Sequence, residues 1–150
     1  MGTIRRFEDL ECWQKARKLA NAIYALTEQT RLARDFELRD QLQAVAGSVM
    51  HNIAEGFDSG TNPEFIRFLK IARRSASEVQ SELYLALDRK YVTQEQMVLA
   101  YELATEAKQL VNGFIAYLRG HKSASPKQQF KGPSIQRTVE PTIERLNEQH

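Results

Sequence analysis

The stretch MHNIAEGFDSGTNPEF, residues 50–65, decides how this chain folds. Its first half continues a pattern in which Leu38, Leu42, Val45, Val49 and Ile53 recur at the spacing of one helix face. Its second half is rich in glycine and short polar residues, the composition of a turn. Gly56 and the residues after it read as the helix stop, because glycine readily takes the left-handed conformation that closes helices. Asn62 and Pro63 read as an N-cap followed by proline at the first helical position. A corner this short makes its two helices antiparallel. The same stretch holds His51, Asn52 and Glu55, residue types that build acid–base and metal sites, so it admits a chemical reading beside the structural one.

Working outward, the pattern predicts a second helix over residues 36–55 and a third over 62–89. The third is expected to bury Phe65, Phe68, Leu69, Ala72, Ala76, Val79, Leu83 and Leu87. A fourth starts at TQEQ, residues 93–96, which has capping-box spacing, and stops at Gly120. It carries Met97, Ala100, Leu103, Ala104, Ala107, Val111, Phe114 and Leu118. A first helix is predicted over residues 9–30, with Trp13, Ala16, Ala20, Tyr24 and Thr27 along one side and Leu19, Ile23 and Leu26 beside them. No segment shows a convincing strand alternation. The expected fold is all-α, an antiparallel up-down-up-down four-helix bundle over residues 1–120 with a C-terminal extension over 121–150. The extension is poor in apolar residues and reads as a solvated tail, or as a segment that docks on a neighbouring subunit. A short helix is expected near 141–148, with Val139, Ile143 and Leu146 as a small apolar face.

Composition narrows the function. With 150 residues the chain makes one domain, and 42% apolar and 27% charged residues are ordinary for a soluble globular protein. A net charge of +2, from 21 basic and 19 acidic residues, leaves only a local patch to attract nucleic acid. No apolar run approaches the roughly 20 residues of a membrane span, and the start MGTIRRFEDLE lacks the apolar centre of a signal peptide. Arg6 stands where a myristoylation motif takes Ser or Thr. The lone Cys12 excludes an internal disulfide. A cytoplasmic protein without a membrane partner is expected.

No catalytic residue, metal or cofactor is expected. His51 and Glu55 share a helix turn, as ligands of bundle metal sites do. On the helix wheel, however, His51 points away from the core, and His121 and His150 lie beyond the bundle. Cys12 and Ser48 have no evident base to activate them. GFDSGTN, residues 56–62, has neither the lysine nor the preceding strand of a phosphate loop. The polar residues of the corner read as structural instead: Asn52 and Glu55 are expected to bond the start of the third helix, with Arg67 as the cation, and Gly56 to form the turn.

Two surface features remain. Ala44, Gly47, Met50 and Ala54 make a smooth outer side on the second helix, and a mid-helix glycine costs about 1 kcal/mol against alanine. Together with the broad apolar arc of Leu19, Ile23 and Leu26, and with Ile71, Tyr84 and Leu85 off the core face, this predicts an oligomer interface. On the third helix Arg67, Lys70 and Arg74 fall at i, i+3 and i+7, flanked by Arg73. They form a candidate phosphate-binding stripe about 10 Å long, with Arg5 and Arg6 as outlying cations.

Three blocks, FEDLECWQKARKLA, LRDQLQAVAGSVMHNIAEGF and EFIRFLKIARRSASEVQSEL, make the sequence resemble a family of small bacterial four-helix bundles. These are encoded in intervening sequences of 23S, large-subunit ribosomal RNA genes. The accessory variability proteins of diversity-generating retroelements are relatives. The resemblance spans residues 7–118 and includes Asn52, Ile53, Ala54, Glu55, Gly56, Ser75 and Glu78. It implies a cytoplasmic bundle that forms a pentameric ring, with no enzymatic activity, cofactor or metal. For the retroelement branch it also implies binding to nucleic acid and a reverse transcriptase through a strongly basic surface, whereas this chain is nearly neutral. The combined expectation is a non-enzymatic homo-oligomer that binds RNA or DNA, or else a structural or protein-interaction module.

Overall fold

Four helices build the protein in a computed structural model that describes residues 3–120. Helix α1 spans Glu11–Gln29, α2 Phe36–Asp58, α3 Asn62–Asp88 and α4 Gln94–Arg119. Single 3-10 turns at Phe7–Asp9 and Arg31–Arg34 precede α1 and link it to α2. The expected extension and its short helix lie outside the described residues.

Each helix packs mainly against two others, α1 against α2 and α4, and α3 against α2 and α4. Cross-helix bonds fix their directions. Along α3 and α4, Arg73 meets Asn112, Ser77 meets Lys108 and Gln80 meets Thr105, so one numbering rises as the other falls. Thr27–Gln43, Ser48–Ser75 and Lys15–Glu106 tie the remaining neighbours. The result is the antiparallel up-down-up-down bundle read from the sequence. The α1–α2 and α3–α4 corners share one pole; the α2–α3 corner and both described ends share the other.

The core is a stack of Ala16, Leu19 and Ile23 from α1, Leu42, Val49 and Ile53 from α2, Phe65, Leu69, Val79 and Leu83 from α3, and small residues such as Ala104 and Ala107 from α4. Each large side chain fully buried there contributes about 1.5–3 kcal/mol. One expectation fails in α1. Its inner line runs through Cys12, Ala16, Leu19, Ala20, Ile23 and Thr27, while Trp13 is only partly buried and Tyr24 stays 44% exposed. A broad apolar arc has no unique centre on a wheel, and packing between α2 and α4 selected one. Leu19 and Ile23 are therefore wholly enclosed by their own bundle and cannot meet another subunit, and Leu26 packs partly against the same core.

The α2–α3 corner also differs from expectation. Helix α2 runs through Gly56 to Asp58, and it is Gly60, at φ +93°, that takes the left-handed conformation. Gly56 has a different task, since a Cβ there would lie 2.7 Å from Phe65 Cδ2 and 2.8 Å from Phe68 Cβ. The glycine lets α2 and α3 approach at the narrow end of their hairpin. The cap of α3 is Thr61, whose hydroxyl oxygen accepts the Glu64 N–H at 3.4 Å, with Asn62 already helical.

At the opposite pole Asp35 caps α2 by accepting the Leu38 N–H at 3.1 Å, and its second oxygen accepts the Tyr91 hydroxyl at 3.1 Å. That pair joins the two corners of the pole. The capping box at Thr93 and Gln96 forms as expected, at 3.2 and 2.9 Å.

Candidate functional site

The polar residues of the opening stretch are used along α2 rather than across the corner. Asn52 Nδ2 donates to the Ser48 carbonyl at 2.8 Å and to Ser48 Oγ at 3.0 Å. Ser48 Oγ in turn meets Oγ of the buried Ser75 at 3.0 Å, so Asn52 reaches α3 only through a serine pair. Glu55 is exposed and forms no hydrogen bond or ion pair among the described residues. The expected cation, Arg67, is held one turn away on its own helix. It contacts Glu64 at 3.1 Å and lies over the Phe68 ring at 4.5 Å. His51 is exposed and its ring lies against Gly47, whose added Cβ would sit 3.4 Å from Nε2.

Nucleophilic chemistry finds little support. Burial pushes the Cys12 thiol up to about 12, so it stays protonated at neutral pH. Among the described residues no three His, Cys, Asp or Glu side chains gather into a metal-binding group. No helix among them is long and apolar enough to cross a membrane.

The basic stripe divides in two. Lys70 and Arg74 are exposed and have no hydrogen bond or ion pair among the described residues. Arg67 is committed to Glu64, and Arg73 Nη1 donates to Asn112 Oδ1 at 2.7 Å, fastening α3 to α4. Arg5 is exposed, and Arg6 lies 3.6 Å from Glu8 and 3.7 Å from Asp9. Basic and acidic side chains balance over residues 1–120, so any attraction for an anion is local.

Apolar exposure has a polarity of its own. Tyr24, Phe36, Tyr84, Leu85, Val98 and Leu99 are the exposed large apolar side chains among the described residues. All six lie in the half of the bundle nearest the two-corner pole. Of the small stripe on α2, Ala44 is exposed, whereas Gly47, Met50 and Ala54 are partly buried.

Sequence reasoning missed Glu82. It is buried on α3, and neither carboxylate oxygen has a hydrogen-bond partner. Burial, with Glu78 one turn away, raises its pKa to about 7. The only signal available was an acidic residue between Val79 and Leu83 on a core-facing helix.

The described residues define a protein of the small antiparallel four-helix-bundle class. More specifically, the chain belongs to the 23S rRNA-intervening sequence protein family, whose profile matches residues 8–113. Its fold is similar to the crystal structure of a protein with unknown function from the S23 ribosomal protein family of Bacteroides thetaiotaomicron. The two share 25% identity at a TM-score of 0.64, over 70% of this chain and 95% of that one. No functionally curated protein matches the chain.

Proposed function

We propose that the chain is a non-enzymatic homo-oligomeric scaffold of the cytoplasm, assembled as a pentameric ring, that binds RNA or DNA through phosphate contacts on α3. The observation that carries this reading is the pair Lys70 and Arg74, one turn apart, exposed and uncommitted within the bundle. Arg67 and Arg73 flank them and can join only by loosening their bonds to Glu64 and Asn112. One such pair gives weak binding, but a ring repeats it in every subunit and multiplies the contacts. Apolar exposure suits a ring. Tyr24 lies on α1 near its contact with α2, and Tyr84 stacks edge-on with Tyr101 between α3 and α4. Those positions face opposite sides of the bundle, as a head-to-tail contact needs, and Ala44, Gly47, Met50 and Ala54 extend the first of them.

Light scattering on a sizing column tests the assembly, and a monomer at all concentrations would refute it. Labelled structured RNA and DNA, titrated at two salt concentrations, test the cations. Replacing Lys70 and Arg74 with alanine should weaken binding to every sequence alike. It should also flatten the slope of log affinity against log salt by about 0.9 for each phosphate no longer neutralised. Wild-type chain that assembles yet binds neither nucleic acid at low salt would favour the second reading, a protein-interaction module, to which the exposed apolar side chains also point.

A further inference from the structure

We infer that the two-corner pole holds a nucleotide site, in which Arg31 and Arg34 take the phosphate and Phe36 stacks on the base. It is an open cleft of about 540 Å³ lined by Arg31, Arg34, Asp35, Phe36, Glu37 and Tyr91, within the size range of small-ligand sites. The 3-10 turn over Arg31–Arg34 sets the two arginines. Such a turn repeats every three residues, so side chains at i and i+3 project from one side, about 6 Å apart along the axis. The Ala33 N–H donates to the Thr30 carbonyl and the Asp35 N–H to the Leu32 carbonyl, both at 3.1 Å, which holds the turn. Leu32 between the arginines is wholly buried, and it anchors the turn with both of them outward.

Two features of this cleft have no explanation within the bundle. The first is charge. Arg31 and Arg34 are exposed and form no hydrogen bond or ion pair among the described residues. Asp35 is engaged by the Leu38 N–H and the Tyr91 hydroxyl, and Arg31 lies over the Tyr91 ring instead, 5.9 Å from its centroid. Arg89 is near enough to act on the Tyr91 hydroxyl, and it too is exposed and unpaired among the described residues. Glu37 is the lining acid that opposes these cations. The second feature is Phe36, at 65% the most exposed large apolar side chain among the described residues. The Arg39 guanidinium covers one side of it, 4.8 Å from the ring centroid. An anion answers the first feature and a flat apolar ring the second. A nucleotide joins both in one molecule, through charge-assisted phosphate contacts and base stacking. Inorganic phosphate would leave Phe36 bare, and an apolar side chain of another protein would leave the arginines unpaired. The site needs neither the stripe on α3 nor a ring, since α3 runs about 21 Å beyond Arg74 to its end at Asp88.

Calorimetric titration of the full chain with AMP, adenosine and inorganic phosphate tests this. AMP should bind roughly tenfold more tightly than adenosine or phosphate, because only AMP makes both sets of contacts. Arg31→Ala combined with Arg34→Ala should weaken AMP roughly tenfold. Phe36→Ala should bring AMP down to the affinity of phosphate, and Glu37→Gln should tighten it severalfold. All four positions are exposed, so urea midpoints should stay near that of the wild type. Lys70→Ala combined with Arg74→Ala should leave AMP binding unchanged while it removes the contacts proposed on α3, so the two readings fail separately. A short RNA with a 5′-phosphate that displaces AMP would identify the end of a strand as the source of the nucleotide. One that does not would identify a free nucleotide. AMP bound no better than phosphate, or bound equally well by the double arginine variant, would overturn the site.

Discussion

Gly56 and Phe65 face each other across the α2–α3 hairpin so closely that a methyl group on the first would sit 2.7 Å from the ring of the second. Alanine normally stabilises a helix over glycine by about 1 kcal/mol. Here Gly56→Ala should instead destabilise by about 1–3 kcal/mol, because overpacking displaces Phe65 and the backbone carrying Phe68. Gly47→Ala makes the contrast. Its Cβ meets only the movable His51 ring at 3.4 Å, so it should be neutral or stabilising by up to about 1 kcal/mol. Urea unfolding of both variants decides; equal shifts of the same sign would contradict the packing role of Gly56.

Glu82 should make stability fall with rising pH over a defined window. Its carboxyl is raised from 4.5 to about 7 in the folded bundle, first by burial and then by Glu78. Below pH 4.5 the group is protonated in both states and carries no penalty. Between 4.5 and about 7 the unfolded chain releases its proton first, which favours unfolding, and above about 7 the loss levels off. Glu82→Gln should therefore match the wild type near pH 4 and exceed it near pH 8. Urea midpoints that keep a constant offset across that range would show the carboxylate to be otherwise compensated.

These two residues mark the boundary of what the sequence discloses. Helix number, order, approximate ends and the Thr93 capping box follow from periodicity and spacing, which depend on neighbours along the chain. The task of Gly56 depends on how near another helix comes, and no local pattern encodes that distance. The same limit explains α1, where the apolar arc admitted a centre near Tyr24 and packing chose one between Ala16 and Ile23. It also explains Asn52, whose short side chain turned to Ser48 on its own helix once Arg67 was held by Glu64. Of the candidate phosphate contacts, the sequence located the stripe but could not tell Lys70 and Arg74 from their committed neighbours.

Lys90 carries backbone strain at the α3–α4 corner. It sits at φ +59°, while Tyr91 N–H donates to the Ala86 carbonyl and Lys90 N–H to the Leu87 carbonyl, the bonds of a Schellman turn. A side chain in that conformation costs roughly 1 kcal/mol, so Lys90→Gly should raise stability by about that amount at most, offset in part by greater freedom of the unfolded chain. A lower urea midpoint would mean that the lysine side chain contributes more than its backbone costs.

Asp35 serves two partners with its two oxygens, and a double-mutant cycle can separate them. Tyr91→Phe should lower the urea midpoint by removing a hydrogen bond to a charged acceptor. Asp35→Ala should cost more, since it also removes the cap of α2, worth about 1 kcal/mol. The double variant should cost less than the sum of the two. Strict additivity would show that the 3.1 Å contact contributes nothing.

Because α1 and α4 are antiparallel neighbours, the chain enters and leaves the bundle at one pole, while the Asp35–Tyr91 bond closes the other. A mechanical load applied to the two ends would open the molecule as a zipper, parting α1 from α4 turn by turn. The Lys15–Glu106 bridge would meet the load early, and the bond between the corners would be the last fastening it reached.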